Sequence, residues 1–321
     1  MRATTACLSI SIGLLLAPWA SAGETRLVPE DFNTIQAAIS VSSDGDRIII
    51  GPGTWTGTVD TRNLAITIES ANGAATTVLD ANGSGSVFRI IRGETPDTII
   101  RGLTITGGTG SLDDTLLHGG GLWIVDSSPT IEDCIIRGNV AHMGAGASVT
   151  RGNPTFANCT FDDNFATIDG GAMRLTDFSF PTFSNVTFVD NGASVYGGAI
   201  NYAFDSLGMH NNCTFNGNTA GVSGGCISMT CDCSAANVSN STLCNSLPNH
   251  IEGPWNNLGG NELCSICDAD VTADGVVDIS DILAIISAWG GCVCVEDLTN
   301  DSSVSVDDLL IVLDAFGPCP N

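Results

Sequence analysis

The last fifth of the chain sets oxygen-bearing side chains at fixed intervals, twice. Residues 267–292 read CDADVTADGVVDISDILAIISAWGGC and residues 294–319 read CVEDLTNDSSVSVDDLLIVLDAFGPC, in register at an offset of 27. In the first copy Asp270, Thr272, Asp274, Asp278 and Asp281 fall at positions 1, 3, 5, 9 and 12 of a loop, and Val276 offers its carbonyl at position 7. In the second copy Asp297, Thr299, Asp301, Ser305 and Asp308 take the same places, with the Ser303 carbonyl at position 7. Hard cations are held by rings of carboxylate, hydroxyl and carbonyl oxygens, and this is the spacing by which a twelve-residue loop wraps one. Gly275 sits at the sharpest bend of the first loop, and Ser302 replaces it in the second. The expectation is two Ca2+ sites, each followed by an apolar helix, over residues 280–289 and 307–316.

Outside this segment the chemistry-bearing residues are scattered. Asp113, Asp114 and His118 share one stretch, residues 111–118. Asp162, Asp163, Asp169, Arg174 and Asp190 lie at outward positions of neighbouring repeats. Arg174 is the candidate base for proton abstraction, and pairs of these acids are the candidates for carboxylate-driven hydrolysis. Trp123, Tyr196 and Tyr202 are candidate aromatic contacts for sugar. His118, His142, His210 and His250 show no metal-ligand spacing. No nucleophile elbow, phosphate loop or dinucleotide fingerprint occurs. The sequence therefore assigns no catalytic residue.

The elements that position these residues are repeats. IEDCIIRGNVAHMGAGA, FANCTFDDNFATIDGGA, FSNVTFVDNGASVYGGA and HNNCTFNGNTAGVSGGC align, with Asn139, Asn164, Asn191 and Asn218 spaced 25, 27 and 27. Asp133, Asn158, Asn185 and Asn212 form a second matching series. Cys134 and Ile136, Cys159 and Phe161, Val186 and Phe188, and Cys213 and Phe215 alternate with polar residues, which is strand periodicity. Short strands punctuated by Asn, Asp and Gly at this period make a parallel β-helix, with Phe over Phe and Asn over Asn. Residues 33–39 have helical spacing and a polar start, suited to covering the open end of the stack. Strands are expected at 46–50, 64–68, 77–79, 87–91 and 98–105.

Composition narrows the setting. Residues 1–22 have a basic start, a short apolar run and a small-residue close, the pattern of a secretory leader. Without them 9 Arg and no Lys face 35 acids, a net charge of −26, which disfavours nucleic acid and anionic membrane. No later segment is long enough to span a bilayer, so no integral membrane segment is expected in the mature chain. Twelve cysteines remain once Cys7 is removed, an even count that suggests disulfides, with zinc at Cys231 and Cys233 as the rival. The expected division is a leader at 1–22, an all-β right-handed parallel β-helix at 23–265 and a small helical module at 266–321.

The layout of residues 27–262 resembles the pectin-lyase-like right-handed β-helix proteins, which include polysaccharide lyases and hydrolases. Residues 267–319, with two calcium-type loops, exiting helices only and a Gly-aromatic close, resemble a dockerin module. That resemblance implies a cohesin-like or other extracellular partner, chosen through loop positions 10 and 11, here Ile279, Ser280, Val306 and Asp307. The combined expectation is a secreted or cell-surface protein that presents a polysaccharide- or surface-binding face and is attached by a calcium-dependent tail. A lyase or glycosidase on that face, and a non-catalytic adhesive repeat protein, are the alternatives.

Overall fold

The computed structural model describes residues 23–113, 115–231, 233–264, 269–272, 276–290, 296–299 and 303–318. The expected leader, Asp114, Asp274, Gly275, Asp301, Ser302 and four cysteines of the tail (Cys267, Cys292, Cys294 and Cys319) lie outside these residues.

The repeats wind into a right-handed parallel β-helix. One rung shows the path. Thr130–Glu132 runs in the first sheet, the chain bends at Asp133 (φ 54°), and Ile135–Arg137 runs in the second. Gly138 and Asn139 turn it into Val140–Met143 of the third sheet, and Gly144 (φ 60°) turns it into Ala147–Thr150 of the fourth. Arg151 leads back to the first sheet at Thr155–Ala157. Stacking builds sheets of 10, 9, 6 and 8 strands in that order. The rungs from Ile99 to Met229 pass through all four sheets, and those nearer either end lack the third-sheet strand and have three. The third-sheet strand carries little sequence signal because its buried residues are Ala141, Ala166 and Ala193, which give no large apolar alternation.

Register follows the sequence alignment. Phe156 pairs with Phe183 and then His210, and Phe161 with Phe188 and then Phe215. The rings stack at 5.4 Å for Phe156–Phe183, 5.3 Å for Phe161–Phe188 and 4.7 Å for Phe188–Phe215. Asn139, Asn164, Asn191 and Asn218 are fully buried. Each of the first three donates through Nδ2 to the next Oδ1, at 3.0, 2.9 and 3.0 Å. Asp133, Asn158, Asn185 and Asn212 all hold a left-handed backbone, which short polar side chains tolerate.

At the N-terminal end α1 (Ile35–Ser40) is capped by Thr34, whose hydroxyl accepts from the Ala37 N–H, and buries Ile35, Ala38 and Ile39 against the core. The strand expected at 98–105 is two strands, Ile99–Arg101 and Thr104–Thr106, broken where Gly102 takes φ 65°. Within the stretch 111–118, Ser111–Asp113 and Leu116–His118 pair antiparallel and join the edge of the third sheet.

Cys231–Cys233 and Cys244–Cys264 are disulfides, so the zinc alternative at the first pair falls. Cys134, Cys159, Cys213 and Cys226 are buried free thiols. Burial pushes Cys134 and Cys226 up to about 12. They fill apolar positions in the stack, and the even count reflects packing as much as bridging.

The C-terminal segment contains α2 (Ile279–Ser287) and α3 (Val306–Asp314). Ala269, Val277, Ile285, Val304 and Val312 form its small core. Among the described residues no helix is long and apolar enough to cross a membrane.

Candidate functional site

Strand alternation sends one residue of each fourth-sheet strand inward and the next outward. Leu122 and Ile124, Ala147 and Val149, Met173 and Leu175, Ile200 and Tyr202, and Ile227 and Met229 enter the core. The residues between them, Trp123, Ser148, Arg174, Asn201 and Ser228, pair in one register column on the outer side. Arg89 and then Asp60 extend the column at one end and Glu252 at the other.

Outward residues of a β-helix are normally wet, yet Ser148, Asn201 and Ser228 are buried. The reason is the sharp turn between the third and fourth sheets. Gly144, Gly170, Gly197 and Gly224 all have φ between 60° and 69° there. A Cβ on Gly170 would sit 2.3 Å from the Met173 carbonyl oxygen, so the turn admits no side chain. It folds the third sheet toward the outer side of the fourth. His118, Met143, Asp169, Tyr196 and Ser223 follow one another in register along the third sheet. The two columns meet across the turn: His118 Nδ1 lies 3.5 Å from Ser148 Oγ. At the C-terminal end Tyr196 and Ser223 share a cleft of about 260 Å3 with Ser228, Met229, Thr230 and Glu252.

The polar atoms of this groove are poorly satisfied. Arg89 Nε, Trp123 Nε1, Asp169 Oδ1, Arg174 Nε and both amide atoms of Asn201 are buried and lack hydrogen-bond partners. Native interiors pair nearly all such atoms, and here the exceptions are concentrated along one furrow. Titration behaviour shifts too. Burial holds the Arg174 guanidinium below its usual value, against the opposing charges of Asp169 and Asp177. Burial lifts the Asp169 carboxyl, against the lowering pull of Arg174 and the Tyr196 amide. Burial and the Arg174 charge lower His118, with His142 adding to this and Asp113 opposing it.

Of the acids and bases singled out from the sequence, Asp169, Arg174 and His118 come together here, with Trp123 and Tyr196 beside them. Asp162, Asp163 and Asp190 do not: they sit at the end of second-sheet strands, where Asp162 pairs with Arg137 at 3.4 Å. There burial and the charges of Asp162 and Asp163 lift Asp190. Tyr202 is no sugar platform. It is buried in the core and shares a 2.6 Å hydrogen bond with His210 Nε2. Ser148, Asn201, Ser228 and Arg89 were missed. A polar residue between two apolar ones at the same place in successive repeats is the pattern of any solvent-facing strand position, so it did not single them out.

In the C-terminal copies the loop residues converge on the twelfth position. Asp281 Oδ1 accepts from the Thr272 N–H and hydroxyl, both at 2.9 Å, and its Oδ2 accepts from the Asp278 N–H at 2.8 Å. Asp308 repeats this with Thr299 at 2.9 and 3.1 Å and with Ser305 at 2.8 Å. Asp278 and Ser305 are the N-caps of α2 and α3, each closing a reciprocal capping box. Asp270, Asp281, Asp297 and Asp308 are buried. The described residues bring no three His, Cys, Asp or Glu side chains into one metal-sized cluster, and the fifth-position acids, Asp274 and Asp301, are outside them. The backbone at Val276 joins Gly317–Pro318 in a short antiparallel pair, and Ser303 precedes the Val304 bridge to Gly290.

A family profile described as the right handed beta helix region matches residues 67–243, more than half of the chain. The chain belongs to the right-handed β-helix family. The groove of this β-helix runs from Arg89 to Glu252, so nearly all of it lies inside the matched segment. Among solved structures the chain is similar to a carrot pectin methylesterase, at 12% identity and a TM-score of 0.43, covering 81% of this chain and 91% of that one. It is similar to the pectin methylesterase of Aspergillus niger at 11% identity and a TM-score of 0.42, covering 77% and 90%. It is also similar to the pectate lyase Pel9A at 14% identity and a TM-score of 0.43, covering 71% and 62%. No curated protein matches the chain.

Proposed function

We propose that this β-helix is an exported glycan-binding protein whose groove between the third and fourth sheets holds a polysaccharide strand. The observation that carries the reading is the run of buried polar atoms without partners from Arg89 to Asn201. Sugar hydroxyls both donate and accept, so a linear chain laid along the column would satisfy these atoms in sequence. The protein would be anchored by its tail, which takes up Ca2+ and docks to a cohesin-like or other extracellular partner.

Two features support the tail reading. Residues 251–321 contain no Lys, Arg or His, yet four of their carboxylates are buried, so any compensating cationic charge comes from outside the segment. The Ca2+ ligands would be Asp270, Thr272, Asp274, Asp278, Asp281 and the Val276 carbonyl, and Asp297, Thr299, Asp301, Ser305, Asp308 and the Ser303 carbonyl. Bound there, the ion would tie each loop to the start of its helix. In addition, α2 exposes Ile279, Leu283 and Ile286, and α3 exposes Val306, Leu310 and Leu313, the same positions in both copies. Matching apolar stripes on two helices fit a helix-mediated contact.

The test is a glycan panel read by calorimetry on the wild type and Asn201→Leu. The expected result is binding that the substitution abolishes while the melting temperature holds or rises, because an unsatisfied amide is removed. A substitution that destabilises the fold and leaves binding intact would make Asn201 structural and refute the groove. A lyase reading has one observation in its favour, the half-buried, unpaired and depressed Arg174 as base. Unsaturated-uronate absorbance on incubation with acidic polysaccharides would establish it.

A further inference from the structure

Three sheets stop at the N-terminal end of the stack, each at an edge strand. These are Thr25–Val28 in the first sheet, Gly53–Thr56 in the second and Val59–Asp60 in the fourth. An edge strand turns unpaired peptide groups outward, and folded proteins normally cover or blunt them. Two of these edges are met by the chain itself. In the first sheet Asp31 Oδ2 accepts from the Leu27 N–H at 2.9 Å, and the Leu27 carbonyl accepts from the Asp31 and Phe32 N–H groups. In the fourth sheet the Gln36 amide stands in for a strand: its Oε1 accepts from the Asp60 N–H at 2.8 Å, and its Nε2 donates to the Asp60 carbonyl at 3.2 Å.

The second-sheet edge is left open. Gly53 and Gly57 donate to the Thr76 and Asp80 carbonyls of the next rung, so alternation turns the peptide groups of Thr54 and Thr56 the other way. No described residue bonds to them on that side, and both residues are exposed. Here α1 packs on Thr25–Val28, Arg47–Ile50 and Val59–Asp60, and a cavity of about 280 Å3 separates its start from Gly53–Thr56. Trp55 lines the cavity together with Asn33, Thr54 and Thr56, and no charged side chain does. Trp55 heads the inward column that continues through Leu79, Ile105 and Ile136, and its Nε1 is already spent on the Gly51 carbonyl at 3.0 Å.

We propose that this edge accepts one extended peptide segment of another protein, added as a further parallel strand, with an apolar side chain over Trp55 and basic residues just before it. The site is separate from the groove and independent of the glycan reading. Every strand of the second sheet is parallel to its neighbours, so a guest running the same way occupies the place of one more rung. Its inward residue would donate to the Thr54 carbonyl and accept from the Thr56 N–H, and its side chain would continue the apolar column into the cavity. Charge sets the flank. A Cβ on Gly51 would sit 3.5 Å from Pro29 Cδ, so the turn at Pro29 lies against the entry to this strand. Glu30 and Asp31 follow it, exposed and without an ion pair among the described residues. A second copy of the chain is a poor guest. Its matching open edge, Glu262–Leu263, lies in a stretch with acids and no Lys, Arg or His, and like charges would meet.

The test uses the full-length mature protein and three capped heptapeptides: Lys-Lys-Thr-Val-Thr-Val-Thr, the same peptide N-methylated at both valines, and its Glu-Glu counterpart. Calorimetry measures affinity, and hydrogen exchange locates the contact, for the wild type and Thr56→Pro. Proline is tolerated on an edge strand and removes the outward N–H, and thermal melting verifies the fold. The expected result is binding of the lysine peptide with slowed exchange over residues 53–57. N-methylation, the Glu-Glu exchange and Thr56→Pro should each weaken it about tenfold, and salt should narrow the gap between the two charge forms. If Thr56→Pro does not fold, the N-methylated peptide tests the same hydrogen bonds from the other side. Equal binding of the methylated peptide, protection elsewhere in the chain, or no binding at about 1 mM peptide would overturn the proposal. Cellobiose shifting the Trp55 fluorescence where no peptide binds would make the cavity a sugar pocket instead. Self-association of the peptide-free protein that Thr56→Pro abolishes would assign the edge to a second copy, and either result would also refute the proposal.

Discussion

The β-helix and the C-terminal pair of loops are both made by duplication, at nearly the same period, and they use it differently. In the β-helix each copy becomes a rung whose backbone groups, asparagines and phenylalanines are completed by the next rung. The result is one continuous core from Val28 to Leu243. In the C-terminal segment each copy folds back on itself: Asp281 and Asp308 close their own loops and cap their own helices. Two copies share a core of only Ala269, Val277, Ile285, Val304 and Val312. Repetition along an axis multiplies buried area with every unit, whereas a pair of self-closed units gains one interface. A segment with so small a core needs another source of stability, and metal uptake is the one its buried carboxylates suggest.

The largest effect that could break this contrast is chelation. Removing Ca2+ from the full chain is expected to abolish hydrogen-exchange protection in α2 and α3 while rungs 67–243 stay protected. A tail that keeps its protection in chelator would place its stability in packing and disulfides. Within the β-helix, Phe188→Ala is expected to cost about 3–5 kcal/mol, because its ring lies between Phe161 and Phe215 and the rungs cannot collapse into the gap. Denaturant unfolding measures this, and a cost under about 1 kcal/mol would deny the continuous core.

A smaller effect concerns acid. His210 is buried, stacked 4.5 Å from Phe183, and burial lowers it to about 3. Its folded value lies below the ordinary 6.5, so the unfolded chain binds the proton more readily. The stability tied to the neutral ring is complete above pH 6.5 and is lost progressively as pH falls from there toward about 3, a loss of a few kcal/mol. Asn or Phe at this position should flatten the pH dependence of the unfolding free energy across that window. An unchanged slope would mean that other groups control acid unfolding. The smallest effect belongs to Arg151→Gln. Its partners Asp126 and Asp177 are exposed, and the change in stability should stay within about 0.5 kcal/mol.

How much of this was legible differs by region. The Phe and Asn columns were readable because large apolar side chains and left-handed asparagines recur at one period. Phe156 over Phe183 and Asn164 over Asn191 are direct consequences of that period. The third sheet escaped notice because Ala141, Ala166 and Ala193 form a separate small core with no large apolar residue to mark it. The groove was half legible. Asp169, Arg174 and His118 stood out as charged residues, but so did Asp162, Asp163 and Asp190, and a list of outward acids does not say which sheet faces which. Asn201 and Ser148 gave no signal, since a polar residue between apolar ones is what any solvent-facing strand position looks like.

The sequence by itself determined that the chain would wind into rungs, which residues would stack, and where oxygen atoms recur in the two loops. Those are matters of periodicity, and periodicity is local. Only the tertiary structure decided that the glycine turn at residues 144, 170, 197 and 224 folds one sheet over the next. That bend buries Ser148 and Asn201, and gathers His118 from one rung with Asp169 and Arg174 from another.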